Sequence, residues 1–255
     1  MRSPHPHPDS SSPDVSDPFS PSLLATGRDG HLLRVLALAV FVAAIVPFFE
    51  VGTFDFVVID DAPYIYDNPF VREGITWRGV HWALTSTHFG WLPLTRLSLM
   101  LDVTLFGLNA GAMHLVNVFF HACNALLVFL LLHRATALPW PAAGVAVLFA
   151  VHPLRVESVA WISERKDVLF AFFVLLALHA YQEARWRSGW RPLLPVLLLF
   201  IAAGMAKPMA VMLPVMLLLW DFWPLGRLPT DWRRLLLEKI PFFVVALLLA
   251  GITVW

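Results

Sequence analysis

Apolar runs that are long enough, or nearly long enough, to cross a membrane recur along the chain. A helix crosses the hydrocarbon core of a bilayer in about 20 residues, and interfacial Trp, Arg and Pro can extend a shorter run into the headgroup zone. The pattern therefore predicts an all-α polytopic membrane protein with about seven transmembrane helices. The predicted helices are residues 32–49, 113–132, 139–151, 168–181, 193–206, 209–223 and 240–255.

Two segments between the first two of these runs mix apolar and polar residues. Residues 92–107 are hydrophobic but carry Arg96 and Asp102, and residues 75–84 interleave apolar side chains with tryptophan, arginine and histidine. This mixture favours interfacial helices that lie along the membrane or dip into it. Both segments then belong to a first outer loop, residues 51–112.

Composition narrows the class of protein further. Hydrophobic residues make up 58% of the chain and charged residues only 14%, whereas soluble domains carry about 25% charged residues. A formal net charge of zero supplies no global positive field that would attract nucleic acid, so no nucleic-acid partner is expected. Cys123 is the single cysteine, which excludes an intramolecular disulfide and a cysteine-based metal site.

The first 31 residues differ from the rest of the chain. They are rich in Pro, Ser and Asp and offer too little apolar surface to offset the entropy of ordering, which predicts a disordered tail. The positive-inside rule places this tail in the cytoplasm. The opposite side then collects many of the acidic residues and is expected to be the active face. Because residue 255 lies inside an apolar run, a C-terminal continuation is also expected.

The densest group of chemically useful side chains lies in the first outer loop. Asp60 and Asp61 directly follow an apolar stretch, residues 54–59. In an extended segment neighbouring side chains point to opposite sides, so only one of these carboxylates can face a given substrate atom. That carboxylate could act as a general base, while the other binds a cation, orients the first or caps a turn. A plain turn is the alternative, since Asp is a common turn residue.

A second polar cluster separates the third and fourth predicted helices. Glu157 and Glu164 are seven residues apart and would share one face of a helix. Cationic side chains at the mouth of a membrane cavity could hold a phosphate group, and a solvated loop with internal ion pairs is the alternative. The cluster contains His152, Arg155, Glu157, Glu164, Arg165, Lys166 and Asp167.

A polar stripe marks the helix predicted at residues 113–132. His114, Asn117, His121 and Asn124 recur at steps of three and four residues, which places them on one helical face. Hydrogen bonding between helices is favoured over a metal site, because no carboxylate shares the motif.

Lys207 lies between the predicted helices 193–206 and 209–223. Its ammonium group could pair with a lipid phosphate, or the long side chain could simply extend toward the interface. The sequence supports both interpretations equally.

Four stretches of sequence carry a resemblance to a known family. In chain order they resemble the N-terminal membrane domain of bacterial tetratricopeptide-repeat proteins, which is similar to the transmembrane and tetratricopeptide-repeat O-mannosyltransferases among the type C glycosyltransferases. The resemblance spans residues 51–227, and the pattern HP-x-x-VES-x-AW-x-x-ERKD is quite specific. The stretches are IDDAPYIYDNPFVREGITWRGVHWALTS, PLTRLSLMLDVTLFGLNAGAMHLVN, FAVHPLRVESVAWISERKDVLF and MAKPMAVMLPVMLLLWDFWPLGR.

The resemblance implies a type C glycosyltransferase-like domain over residues 32–255, in a multi-pass protein of the bacterial inner membrane. It also implies a polyprenyl-phosphate-linked sugar as donor, a catalytic acidic pair in the first outer loop and a soluble repeat region beyond the membrane part. Leu92, Met113 and Arg155 stand where the family commonly has histidine, so donor or acceptor contacts are expected to differ there.

Together, the residues and the resemblance predict a glycosyltransferase in which Asp60 or Asp61 is the general base on an acceptor hydroxyl, with inversion at the sugar. Its partners would be membrane lipid, the lipid-linked sugar and a protein or glycan acceptor. Whether a divalent metal assists is open. The expected donor-phosphate residues are Arg96, Arg155, Arg165, Lys166 and Lys207, with His152, Glu157 and Glu164 as orienting residues.

Two non-enzymatic interpretations compete with this one. A membrane scaffold that displays a repeat domain would not need the acidic pair. A transporter of a lipid-linked substrate should carry charges at mid-membrane depth and internal repeats, whereas the charges here gather at the predicted helix ends.

Overall fold

A computed structural model describes residues 28–184 and 189–254, and all regular structure in these two ranges is helical. Short 3-10 or π-helical segments join several of the α-helices. The α-helices of the described ranges are α1 (Arg28–Ile45), α2 (Pro69–Arg72), α3 (Trp77–Thr85), α4 (Pro93–Phe106), α5 (Ala110–Thr136), α6 (Pro139–Val151), α7 (Val156–Ala160), α8 (Arg165–Ala184), α9 (Leu194–Ala206), α10 (Leu213–Phe222) and α11 (Leu228–Val254).

The N-terminal boundary differs from the prediction. Most of the predicted tail, residues 1–27, lies outside the described residues, but residues 28–31 belong to α1. The physical reason is that a helix can begin ahead of its apolar run, because polar residues in its first turn still form backbone hydrogen bonds.

Four helical segments of the described ranges are long and apolar enough to cross a membrane: Asp29–Thr53, Ala110–Thr136, Ile162–Ala184 and Trp232–Thr253. A fifth candidate is the pair of helical segments Pro139–Val151 and Pro153–Ala160, which are bent by 56° relative to each other. The remaining apolar helices, Arg191–Ala206 and Pro208–Phe222, are shorter. All seven predicted runs fall on helices, within the described residues, but a count of seven membrane crossings stays a prediction.

Contacts near the two ends of α8 show that α9 and α10 lie along this helix. Lys207, just after α9, pairs with Asp167 in the first turn of α8. Asp221, near the end of α10, accepts a hydrogen bond from Tyr181 in the last turn of α8, at 2.7 Å. Both short helices therefore cover the length of α8 between Asp167 and Tyr181, which is ~21 Å at 1.5 Å per residue. We call the two ends of this helix bundle the Arg165 end and the Ala184 end.

Small residues allow close packing in one half of the bundle. In this half α1, α5 and α6 share a core in which Ala122, Ala125, Ala143, Ala146 and Ala150 are buried. In lipid the hydrophobic effect does not drive helices together, so close contact between backbones is the main attraction available. The other half joins α8, α9, α10 and α11 around larger side chains, including Tyr181, Phe200 and Phe242.

The segment predicted to be the first outer loop, residues 51–112, folds over the Arg165 end of the bundle. The 3-10 segment Val46–Thr53 packs against α5 so closely that a Cβ atom at Gly111 would overlap the carbonyl oxygen of Gly52. Helix α4 packs against α3, α5, α8 and α9, and Thr95 donates a hydrogen bond to the carbonyl oxygen of Ala206 at 3.0 Å. Loop and bundle are thus one packed unit at this end.

Helix α4 carries two charged side chains, Arg96 and Asp102. Both are buried and have protein partners. Exposed Leu101, Leu105 and Phe106 form its outer surface instead. A buried charge is stable only when it is paired, and the tertiary structure supplies those pairs.

The arrangement predicts which segments share a side of the membrane. Because Cys123 is the single cysteine, a Cys123→Ser background allows one cysteine at a time to be added at exposed Thr87 or exposed Arg191. A membrane-impermeant thiol reagent applied to intact cells should label Thr87→Cys and leave Arg191→Cys unlabelled until the cells are opened. Labelling of both, or of Arg191→Cys alone, would contradict the predicted topology.

Candidate functional site

The acidic pair lies in a turn that leads into a short π-helical segment, Ala62–Tyr66, rather than in an extended segment. Asp61 is completely buried. Its Oδ2 accepts a hydrogen bond from the backbone N–H of Val57 at 2.8 Å, and its Oδ1 accepts from the N–H and hydroxyl of Ser163 at 3.0 and 2.5 Å. Asp61 therefore fastens the first outer loop to the segment before α8.

Asp60 is partly exposed and lies beside Tyr64, whose backbone N–H donates to the Asp60 carbonyl oxygen at 3.1 Å. Burial raises the pKa of the Tyr64 phenol, and the nearby negative charges of Asp60 and Glu164 raise it further, while Lys166 lowers it. The phenol consequently stays protonated and can donate a hydrogen bond at neutral pH. The structure separates the two acids, with one carboxylate inside and one accessible.

Lys166 and Glu164 bring charge to the same place. The Lys166 ammonium group binds the Glu164 carboxylate at 2.7 Å and lies 5.6 Å from the centre of the Tyr64 ring. Both side chains are only partly buried. We call Asp60, Tyr64, Glu164 and Lys166 the acidic-pair cluster, after the accessible member of the pair. Asp61, the buried member, joins the two chain segments that carry these residues.

Arg165 is enclosed by protein, which corrects its predicted role in donor binding. Its side chain is 0% exposed and donates to Asp102 at 2.6 Å, to Ser98 at 2.9 Å, to the carbonyl oxygen of Met113 at 2.9 Å and to Asn117. A guanidinium group surrounded in this way cannot reach a lipid phosphate without unfolding its surroundings. Arg165 instead connects α8 to α4 and α5.

Arg96 is the second predicted phosphate ligand whose donors are already used. Its guanidinium group donates to the backbone carbonyl oxygens of Ser86 at 2.6 Å, Gly90 at 3.0 Å and His88, and it stacks on Trp82 at 4.6 Å. These bonds hold residues 86–90 in a tight loop. The physical reason for the correction is that the backbone carbonyl oxygens of this loop bind the same guanidinium donors that a phosphate would need.

The loop that Arg96 holds is strained next to the acidic-pair cluster. Phe89 has φ of 58°, a backbone conformation that costs a bulky residue on the order of 1–3 kcal/mol. Its ring stacks on Tyr64, with centroids 5.1 Å apart, and its carbonyl oxygen lies 3.4 Å from the Tyr64 hydroxyl. No sequence signal marked Tyr64 or Phe89 as site residues, because their contacts join parts of the chain that are 25 residues apart.

Lys207 pairs with Asp167, and Asp167 also accepts a hydrogen bond from Ser158 at 3.1 Å. This ion pair is partly exposed. It lies at the Arg165 end of the bundle, and the Lys207 ammonium group already has a carboxylate partner within the protein.

The other predicted residues lie on the segment between α6 and α8. His152 accepts a hydrogen bond from the N–H of Leu154 at 3.2 Å and so caps a 3-10 turn, and Arg155 stacks on Phe149 at 4.3 Å. Glu157 is exposed on α7. Because Trp161 has an extended conformation between α7 and the next 3-10 turn, Glu157 and Glu164 do not share one continuous helical face, which corrects that expectation.

The polar stripe of α5 forms hydrogen bonds between elements, as the sequence predicted. Asn117 donates to the carbonyl oxygen of Trp161 at 2.8 Å, and Asn124 donates to that of Val168 at 2.9 Å. A ring nitrogen of His121 lies 2.9 Å from the carbonyl oxygen of Ala150, and one of His114 lies 3.4 Å from that of Asp55. Within the described ranges, no group of three or more His, Cys, Asp or Glu side chains could hold a metal ion.

Fold and site define a multi-pass helical membrane protein with an accessible carboxylate at one end of its bundle. Comparison with known proteins shows that the chain is similar to the TMTC protein O-mannosyltransferases. It is 34% identical over 143 residues to Protein O-mannosyl-transferase TMTC1 of Mus musculus, covering 50% of this chain and 14% of that protein. It is 31% identical over 148 residues to Protein O-mannosyl-transferase Tmtc1 of Drosophila melanogaster, covering 58% and 17%.

A third relative extends the match along the chain. Protein O-mannosyl-transferase Tmtc2 of Drosophila melanogaster is 29% identical over 179 residues, or 64% of this chain and 19% of that protein. The chain thus matches less than a fifth of the length of these curated relatives. No family model and no solved structure matches the chain.

Proposed function

We propose that this chain is the membrane part of a glycosyltransferase of type C that moves a sugar from a polyprenyl-phosphate donor to a hydroxyl acceptor. Similarity to proteins named O-mannosyltransferases supports sugar transfer and favours mannose and a protein Ser or Thr as substrates. The proposal depends on one observation. The Asp60 side chain is partly exposed, whereas both carboxylate oxygens of Asp61 already accept hydrogen bonds within the protein.

In the proposed reaction the Asp60 carboxylate takes the proton of the acceptor hydroxyl. The acceptor oxygen then attacks the anomeric carbon, the bond from that carbon to the phosphate oxygen breaks, and the polyprenyl phosphate leaves with the electron pair. Attack opposite to the leaving group inverts the anomeric configuration. Asp61 positions the loop that carries Asp60.

Negative charge grows on the phosphate as the donor bond breaks, so a nearby cation stabilises the transition state more than the bound donor. Lys166 is the best-placed cation, because it is partly exposed and lies beside Tyr64. Glu164 orients it through their ion pair. Of the other predicted phosphate ligands, Lys207 and Arg155 stay candidates at the edge of the site.

The direct test uses the full-length protein purified with native lipids, a radiolabelled polyprenyl-phosphate mannose and a Ser/Thr-rich peptide. We expect mannose to be transferred from the lipid-linked donor and not from GDP-mannose. Lys166→Gln should lower kcat by roughly 10-fold or more and should raise KM for the donor by a smaller factor. The reason is that the Lys166 charge acts mainly in the transition state.

The matched control is Arg78→Gln, which removes an exposed cation that stacks on Phe70 in the same loop. Its transfer rate should be unchanged. Equal rates for Lys166→Gln and wild type would contradict the role of Lys166, and transfer only from GDP-mannose would contradict the lipid-linked donor.

A further inference from the structure

The Ala184 end of the bundle contains a second candidate binding site. It is a groove between the start of α9 and the middle of α11. It encloses about 310 Å³, at the lower limit of ~300–1,000 Å³ for small-molecule sites. Its walls are almost entirely apolar, and buried Phe242 forms part of its base. Leu194 and Leu237 are exposed along it, so the groove opens sideways toward the surface that would face lipid.

A polar pocket continues the groove at one end. The two cavities share Gly189, Leu193, Arg234 and Glu238, and the polar pocket adds Tyr181 and Arg227 to its lining. Together they have the form of a single amphipathic site, with an apolar channel and a polar mouth. The Arg234 side chain is 68% exposed there, with a long ion pair of 3.4 Å to Glu238, so its guanidinium group retains capacity for an anion.

The polar mouth is held rigidly by a buried network behind it. The Lys239 ammonium group donates to Tyr181 at 2.5 Å and to Asp221 at 2.7 Å, and Arg227 joins Asp221 to Glu238. Because this network ties α8, α10 and α11 together, the groove is a preformed feature of the fold.

The charged residues around the groove favour an anionic ligand. Residues 189–193 and 221–239 carry five cationic side chains and three acidic ones, so these two segments together have a net positive charge. The cationic residues are Arg191, Arg227, Arg233, Arg234 and Lys239, and the acidic ones are Asp221, Asp231 and Glu238. Exposed Trp190 at the rim is a residue type that lies at the headgroup level of membranes.

We infer that this groove binds one acyl chain of an anionic glycerophospholipid, with the headgroup phosphate at Arg234. Acyl chains are the apolar molecules that surround a membrane-spanning helix, and basic pockets between such helices bind anionic headgroups. The groove is separated from the acidic-pair cluster by the length of α8, ~30 Å for 20 residues. It is therefore distinct from the proposed sugar-transfer site and does not depend on that proposal.

The test uses the full-length protein in nanodiscs of equal parts phosphatidylglycerol and phosphatidylcholine, doped with a phosphatidylglycerol that carries a photoreactive group on one acyl chain. Cross-linked peptides should come from α9 and α11 around the groove. Native mass spectrometry should show phosphatidylglycerol retained over phosphatidylcholine, with retention reduced at least 5-fold in Arg234→Gln.

The matched control is Arg233→Gln, which removes the neighbouring exposed arginine that stacks on Trp232 and does not line the groove. It should change retention by less than 2-fold. A second variant, Leu194→Trp, fills the channel without altering charge and should abolish the cross-link. This variant keeps the test informative if Arg234→Gln is poorly folded.

Three outcomes would overturn the inference: equal retention of the two phospholipids, cross-links confined to other helices, or displacement of phosphatidylglycerol by an equimolar polyprenyl phosphate. The measurement contains no sugar-transfer step. A result that contradicts lipid binding in the groove is therefore separate from a result that contradicts the proposed enzymatic function.

Discussion

Asp60→Asn is expected to lower sugar transfer by about 100-fold or more per folded molecule, the scale of lost general-base catalysis. The amide cannot accept the acceptor's proton, and the partly exposed position of Asp60 means that the substitution removes no buried interaction. Expression, membrane insertion and thermal stability should stay near wild type. Transfer from polyprenyl-phosphate mannose, normalised to folded protein, is the measurement.

Asp61→Asn provides the matched control at the neighbouring position. A buried amide offers one acceptor oxygen where the carboxylate meets three donors on Val57 and Ser163, so we expect a loss of stability of about 1–3 kcal/mol. Activity per folded molecule should fall less than in Asp60→Asn. A normal transfer rate in Asp60→Asn would remove the enzymatic interpretation and favour the scaffold.

Arg165→Gln is expected to be the most destabilising single substitution among the predicted site residues. It leaves the carboxylate of Asp102 buried without its cation, and breaking a buried pair from one side costs about 3–5 kcal/mol. The amount of monodisperse protein that survives heating in detergent would measure the loss. The double variant Asp102→Leu/Arg165→Leu should be less destabilised than Arg165→Gln, because no unpaired charge remains.

Lys166→Gln is the control for Arg165→Gln, one residue along the chain. Its ion pair with Glu164 is only partly buried, and pairs of this kind contribute little to stability. If Arg165→Gln kept wild-type stability but raised KM for the lipid-linked donor, the Arg165 side chain would have to reach the phosphate, and its assignment to the interior of the bundle would be wrong.

The helical class and the similarity to O-mannosyltransferases were accessible from the sequence because they depend on local patterns. Apolar runs of membrane length and an ordered series of motifs require no knowledge of contacts between distant residues, and all seven predicted runs fall on helices within the described ranges. The stripe on α5 was predictable for the same reason, since four polar residues on one apolar face need partners on neighbouring helices.

The roles of individual charges were not accessible in this way. In sequence, Arg96, Arg165 and Lys166 are equivalent cations near a membrane boundary, and Asp60 and Asp61 are equivalent neighbours. Packing distinguishes them, because Asp61 meets Ser163 across 102 positions and Arg165 meets Asp102 across 63. A charge buried by such long-range contacts serves stability, whereas an exposed charge stays free for a substrate, and no local pattern records which of these occurs.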